Sequence, residues 1–341
     1  MNTEQNKEQG KPITPEEIRN EGLRMDEEMR QRSMEGEGIV KMHTAIQWMQ
    51  VVMNSAAPRP LFRELWHEGE VCILFADTNT GKSILAVQIA EMLSAEHLVL
   101  YFDFEMSAKQ FEGRYSNDYK DHYPFRENLR RLELDPDAEI PEGWIFEEYL
   151  NDCIERIIVK TGAKILIIDN LTYLRQEIEK AKDALPLMKE LKALKNRHSL
   201  SILALAHTPK RDMTKPITRN DLQGSKMLMN FCDSAFSIGE SASDNTLRYI
   251  KQIKARATEL IYSNNNVIVA RITKPDNFLC FEFIGYGNER DHLKQVVHED
   301  RNEMHEQVLE LYKQGQSLRQ IGEQLGISHI TVRNVVQKNK L

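Results

Sequence analysis

Short apolar runs alternate along the middle of the chain with stretches whose apolar residues recur at helical spacing. Residues 71–75, 98–104, 163–169 and 200–206 read as strands buried on both faces, because apolar side chains fill consecutive positions. Between them, residues 84–93, 108–115, 150–159 and 177–196 carry the helical period. Strands alternating with helices in this way predict a parallel sheet covered on both faces, an α/β fold. Residues 235–238, 247–253, 267–272 and 278–284 instead alternate apolar and polar, and predict an antiparallel extension of that sheet. Residues 118–147 mix charges with prolines and read as an insertion or a variable helical region.

The pattern changes at both ends. Residues 1–40 hold ten acidic and six basic side chains with almost no apolar periodicity, and read as a disordered acidic tail with one exposed helix near 15–32. A short amphipathic helix follows over 42–53 and is closed by Pro58-Arg59-Pro60. It reads either as a packing helix at the edge of the core or as a linker that docks on a neighbouring subunit. From residue 304 the period is helical again. Val308, Leu309, Leu311 and Tyr312 mark one helix, stopped by Gly315, and Ser317 caps a second. Gly326-Ile327-Ser328 is a tight turn, and Ile330, Val332, Val335 and Val336 are expected to face inward from a third helix. This is a helix-turn-helix pattern. The organisation expected is therefore tail 1–40, α/β domain 41–286, linker 287–303 and a small all-α module 304–341.

Composition narrows the class. Hydrophobic content of 41% and charged content of 28% suit a soluble globular protein. A net charge of −7 excludes a wholly basic nucleic-acid coat, so any DNA contact must come from local patches. Cys72, Cys153, Cys232 and Cys280 are far apart, without metal-ligand spacing, and suggest a reducing compartment. No apolar run approaches the ~20 residues of a membrane span, and the N-terminus lacks a signal peptide's apolar core, so the expected location is the cytoplasm.

The chemistry concentrates after the first buried strand. Ala76 is followed by Asp77, Thr78, Asn79, Thr80, Gly81, Lys82 and Ser83, and then by a helix. Strand, loop and helix in that order make an ATP-phosphate cradle. Backbone N–H groups at the helix start face the anion, Lys82 reaches the β- and γ-phosphates, and the Ser83 hydroxyl binds Mg²⁺. Ala76 stands where the first glycine of such a loop is usual. Asp169 ends a buried strand, where a parallel nucleotide-binding sheet places a second group for the metal. Glu105 follows another strand. It could polarise a water against the γ-phosphate, or merely cap the next helix.

Residues 99–110, from Val99 to Gln110, resemble the second signature block of RecA-type hexameric helicases, notably the DnaB type and the smaller plasmid RepA type. The resemblance spans about residues 66–272 and implies a RecA-like P-loop ATPase core, using ATP and Mg²⁺, assembled as a homo-oligomer, a hexameric ring. It implies that Glu105 activates water, that Asp169 serves the metal, and that His207 senses the γ-phosphate. Residues 221–226 and 233–235 are similar to the last core block. The strand 250–256 resembles the one whose Lys-x-Arg pair, here Lys254 and Arg256, reaches a neighbour's γ-phosphate. Ordinary solvated charge is the alternative for that pair. Lys210, Arg211, Lys215 and Arg219 fall where such rings supply loops to a central channel for single-stranded DNA, although a solvated surface loop is equally consistent. In the C-terminal module Ser328, His329, Thr331, Arg333 and Asn334 sit where a recognition helix touches duplex DNA, and protein docking is the alternative. The function expected is DNA-coupled ATP hydrolysis by a helicase or helicase-like replication protein of a plasmid or mobile element. A DNA-binding regulator whose oligomerisation is switched by nucleotide, or a helicase loader, are the rivals.

Overall fold

The computed structural model describes residues 40–338 except 54, 175–180, 210, 223–225, 257 and 296–297. The expected acidic tail and its helix, Lys210 and residues 223–225 of the 221–226 block therefore lie outside the described residues. The chain divides into two units, Met1–Ala57 and Pro58–Leu341.

In the first unit α1 (Ala45–Val52) starts from a reciprocal cap between Thr44 and Gln47. None of its residues is buried: Ile46, Trp48, Met49 and Val51 are all exposed.

The second unit opens with a short hairpin, β1 (Pro60–Phe62) and β2 (Trp66–His67). It then runs through β3 (Val71–Ala76), α2 (Lys82–Leu93), β4 (Val99–Asp103), α3 (Ala108–Arg114), β5 (Ser116–Asn117), β6 (Asp121–His122) and β7 (Leu129–Leu132). α4 (Phe146–Thr161), β8 (Ile165–Asp169), α5 (Ala181–His198), β9 (Ser201–His207), α6 (Lys226–Phe231) and β10 (Ser234–Glu240) follow. The sheet is completed by β11 (Leu247–Lys254), β12 (Val267–Thr273) and β13 (Cys280–Gly287). Nine strands form one sheet in the order β13-β12-β11-β10-β3-β9-β8-β4-β7. From β10 to β7 every pairing is parallel, and from β10 to β13 every pairing is antiparallel. This is a mostly parallel α/β sheet with an antiparallel extension at one edge. Two apolar layers sandwich it: α2 covers one face with Leu85, Val87 and Ile89, and α4 and α5 cover the other with Ile154, Leu187 and Leu191. Strands β3, β4 and β8 are buried at every position, which is why their sequences show no alternation.

Four expectations need correction. Strand β10 belongs to the parallel part, paired with β3 from Ser234–Cys72 to Ile238–Ala76, because α6 returns the chain to the start of the sheet. Residues 118–147 are not helical before Phe146; they form the β5–β6 hairpin and the edge strand β7. Residues 287–293 are not linker: Glu289 and His292 are buried, and Glu289 pairs with Lys251 of β11 at 2.6 Å. Finally, Ile330 is 58% exposed, since it sits two residues, about 200°, from Val332 on the last helix.

That module consists of α7 (His298–Lys313), α8 (Leu318–Leu325) and α9 (His329–Lys338) around Val308, Ile321, Val332, Val335 and Val336. α8 begins with a Ser317–Gln320 capping box, and a three-residue turn starting at Gly326 (φ 65°) leads to α9. Among the described residues no helix is long and apolar enough to cross a membrane.

Candidate nucleotide-binding site

All the central side chains stand at the C-terminal edge of the parallel strands, around β3 and its neighbours β9, β8 and β4. β3 leads into the loop 77–81. Asp77 Oδ1 accepts the Thr78 N–H at 2.7 Å, and the Thr80 hydroxyl donates to the Asp77 carbonyl at 2.8 Å. Gly81 has φ 101°, and a Cβ there would lie 2.9 Å from Ile272 and Phe281, so both backbone and space demand glycine. Having no side chain, Gly81 leaves the α2 N-terminus uncapped, and its first N–H groups are available to an anion.

Lys82 is 6% exposed and turns back on its own loop, donating to the carbonyls of Ala76 and Asp77, each at 2.9 Å. Burial lowers its pKa, against the opposing charges of Asp169, Glu105 and Asp77. Arg248 on β11 braces the loop from the other side, donating to the Thr80 carbonyl at 3.3 Å and pairing with Glu240 at 3.2 Å.

Asp169 ends β8, directly opposite Asp103 at the end of β4. Burial raises its pKa to about 6, while the Ser83 and Tyr101 hydroxyls pull it back and the carboxylates of Glu105 and Asp103 push it further up. Its Oδ2 accepts from Tyr101 at 2.8 Å, whereas Oδ1 is buried and lacks a hydrogen bond of good geometry. An orphaned carboxylate oxygen beside the Ser83 hydroxyl fits a Mg²⁺ ion, a hard cation that takes oxygen ligands. Among the described residues no group of three or more His, Cys, Asp or Glu side chains forms a separate metal site.

Glu105 does not cap the helix after it. Ser107 does, accepting from the Gln110 N–H, while Gln110 reaches back to Ser107. The Glu105 carboxylate instead meets His207 at the end of β9, Nε2 to Oε1 3.1 Å, and accepts from the Asn170 side chain. Asn170 also stands 3.0 Å from His207 Nε2, so one ring nitrogen faces both partners and its tautomer selects between them. The hydrogen bond to His207 lowers the Glu105 pKa, with the charges of His207, Lys82 and Arg114 adding to it against burial. Asn170 and Arg114 escape sequence reasoning. Asn170 follows an acid that explains the strand end by itself, and Arg114 lies in an ordinary exposed-looking helix. Yet Arg114 Nη1 is buried without a hydrogen-bond partner.

The sheet thus brings together the loop 77–83, Glu105, Asp169 and His207. It does not bring Lys254 or Arg256 to them. Lys254 pairs with Ala235, opposite Ile73, about 10 Å along the strand before the loop. Its ammonium donates to the carbonyls of Met229, Asn230 and Cys232, at the end of α6. Arg256 lies beyond the end of β11, not on it, and pairs with Asp233 at 3.5 Å. Neither reaches the loop of its own chain.

The basic segment after β9 is pinned in part. Ile217 donates its N–H to Glu289 at 2.7 Å and accepts from Lys251 at 2.5 Å, so the buried ion pair clamps one residue at both ends. Arg211 donates to Tyr249 and to the Lys215 carbonyl, and Lys215 pairs with Asp212. Arg219 is exposed. In the C-terminal module Ser328 accepts from the Thr331 N–H at 3.1 Å as the cap of α9, and His329, Arg333 and Asn334 are exposed on that helix.

A family model described as an AAA domain matches residues 43–213. Among solved structures, a KaiC-like protein from the hyperthermophilic archaeon Pyrococcus horikoshii OT3 is 14% identical, with a TM-score of 0.46, covering 65% of this chain and 95% of that one. No curated protein matches the chain.

Proposed function

This chain belongs to the AAA domain family, and on that footing we propose that it hydrolyses ATP with Mg²⁺ and couples turnover to DNA in a homo-oligomeric ring, as a helicase or helicase-like replication protein of a plasmid or mobile element. The convergence of Lys82, the orphaned Asp169 Oδ1 and the Glu105 carboxylate on one loop supports hydrolysis most directly. Lys82 exchanges its two loop carbonyls for β- and γ-phosphate oxygens, and the α2 N–H groups take the rest of the anion. Ser83 and Asp169 would hold Mg²⁺, which when bound offsets the charge that builds on the phosphate oxygens. Glu105 is ionised at neutral pH, since its pKa is lowered, and accepts the proton of the attacking water. For that it must turn from His207 and Asn170, so His207 ties the state of the γ-phosphate to the freedom of the base.

The arginine finger in this reading comes from a neighbour, through Arg256 with Lys254 beside it. Arg211, Lys215 and Arg219 face single-stranded DNA, and Ser328, His329, Thr331, Arg333 and Asn334 face duplex; Lys210, expected beside the first group, lies outside the described residues. A nucleotide-switched DNA-binding regulator is the second reading, favoured by the engagement of Glu105 with His207 and Asn170, which suits slow turnover. ATPase rate with and without single-stranded DNA, measured beside oligomer mass, separates them. Stimulation in a ring supports the helicase reading; slow turnover indifferent to DNA supports the regulator.

A further inference from the structure

Glu105 sits in a turn, and turns do not hold a side chain in place unaided. The turn between β4 and α3 is closed by a second pair of residues that touches neither the phosphate loop nor Lys82. Asp103, fully buried, accepts the N–H of Met106 at 2.9 Å and of Glu105 at 3.2 Å through Oδ1. Its other oxygen accepts from Arg131 Nε at 2.9 Å. The same guanidinium donates to the Met106 carbonyl at 2.7 Å through Nη2 and meets Glu133 at 2.8 Å through Nη1. Phe111 of α3 lies over it, 5.0 Å from ring centroid to Cζ. Both backbone groups of Met106 and the N–H of Glu105 are therefore tied down.

We propose that Arg131, on the edge strand β7, is a positioning residue for ATP hydrolysis, acting through Asp103 to aim the Glu105 carboxylate. The inference rests on the reading of Glu105 as the base. Its logic is electrostatic. A buried carboxylate charge without a partner is strongly disfavoured. Arg131 supplies the compensating charge and a fork that reaches two acceptors at once, which a lysine ammonium on a flexible stem matches poorly. Without it Asp103 loses its ion-pair partner and can turn, the Met106 carbonyl loses its donor, and Glu105 drifts. A displacement of about 1 Å at a reacting group costs roughly 10²-fold in rate.

The test is a double-mutant cycle of Arg131→Ala and Glu105→Gln, read as kcat for ATP and as affinity for a non-hydrolysable ATP analogue. Arg131→Ala is expected to lower kcat by roughly 10²-fold while analogue affinity stays within about twofold, and to add nothing further in the Glu105→Gln background. Arg131→Lys should recover part of the loss, and Asp103→Asn should repeat the Arg131→Ala result if Arg131→Ala folds poorly. Additive losses in the cycle, or wild-type kcat in folded Arg131→Ala, overturn the proposal. If wild type hydrolyses ATP and Glu105→Gln does so equally well, the reading of Glu105 falls instead, and this proposal falls with it for a reason the cycle makes visible.

Discussion

Burial holds the Asp169 carboxylate at a pKa of about 6, against an ordinary 3.8, so its charge changes within the range of common assay buffers. A carboxyl raised on folding stabilises the metal-free protein most below its unfolded pKa, and that contribution is lost as pH rises through the folded one. Metal works against the proton at the same oxygen. Mg²⁺ affinity is therefore expected to weaken about tenfold per pH unit below about pH 6. The acid limb of kcat/KM should lie near 6 and move to lower pH as Mg²⁺ is raised. Glu105 cannot supply that limb, because its partner His207 lowers its pKa instead. A limb that ignores Mg²⁺ would remove Asp169 from the metal site. The residue scale is also where the sequence says least. Lys82, Gly81 and Ser83 are legible from order and spacing, but the buried Asp103–Arg131 pair looks like two ordinary charges, and only the fold places them together.

Among the elements, the C-terminal module has its own apolar centre and a single tight joint. A Cβ at Gly322 would come within 2.8 Å of the Ile327 carbonyl, in the backbone of the turn between α8 and α9. Gly322→Ala should therefore cost about 1–3 kcal/mol in that module and weaken binding to duplex DNA. ATP turnover without DNA should be unchanged, as measured beside the melting curve of the same variant. Equal loss of both activities would contradict separate roles. The helices of the module and the buried parallel strands are legible because a period of 3.6 and an unbroken apolar run are local signals. The direction of β10 is not local, since it depends on α6 carrying the chain across the sheet. Strand β7 is hidden for another reason: Arg130 and Arg131 fill its centre, and the ion pair with Asp103 makes an arginine acceptable there. Glu289 reads as linker charge and is buried because Lys251 neutralises it.

For the whole molecule the question is whether one copy completes a neighbour's site. Lys254 has spent its donors on the end of α6, whereas Arg256 is 54% exposed at its side chain and pairs with Asp233. Arg256 is thus the better finger of the two, and a finger is worth roughly 10³–10⁵ in rate. Arg256→Ala should bind ATP near normally and hydrolyse it very poorly, and mixing it with Lys82→Ala protein should restore some turnover. Absence of rescue in verified mixed oligomers would place the finger elsewhere. The most direct measurement is simpler: steady-state turnover of Mg²⁺-ATP by the full chain, wild type against Lys82→Ala, with both melting curves recorded. In the proposed site Lys82 would be the main side-chain charge on the phosphates, so the variant is expected to keep its fold and lose hydrolysis. Wild-type turnover in a folded Lys82→Ala protein would contradict the site itself.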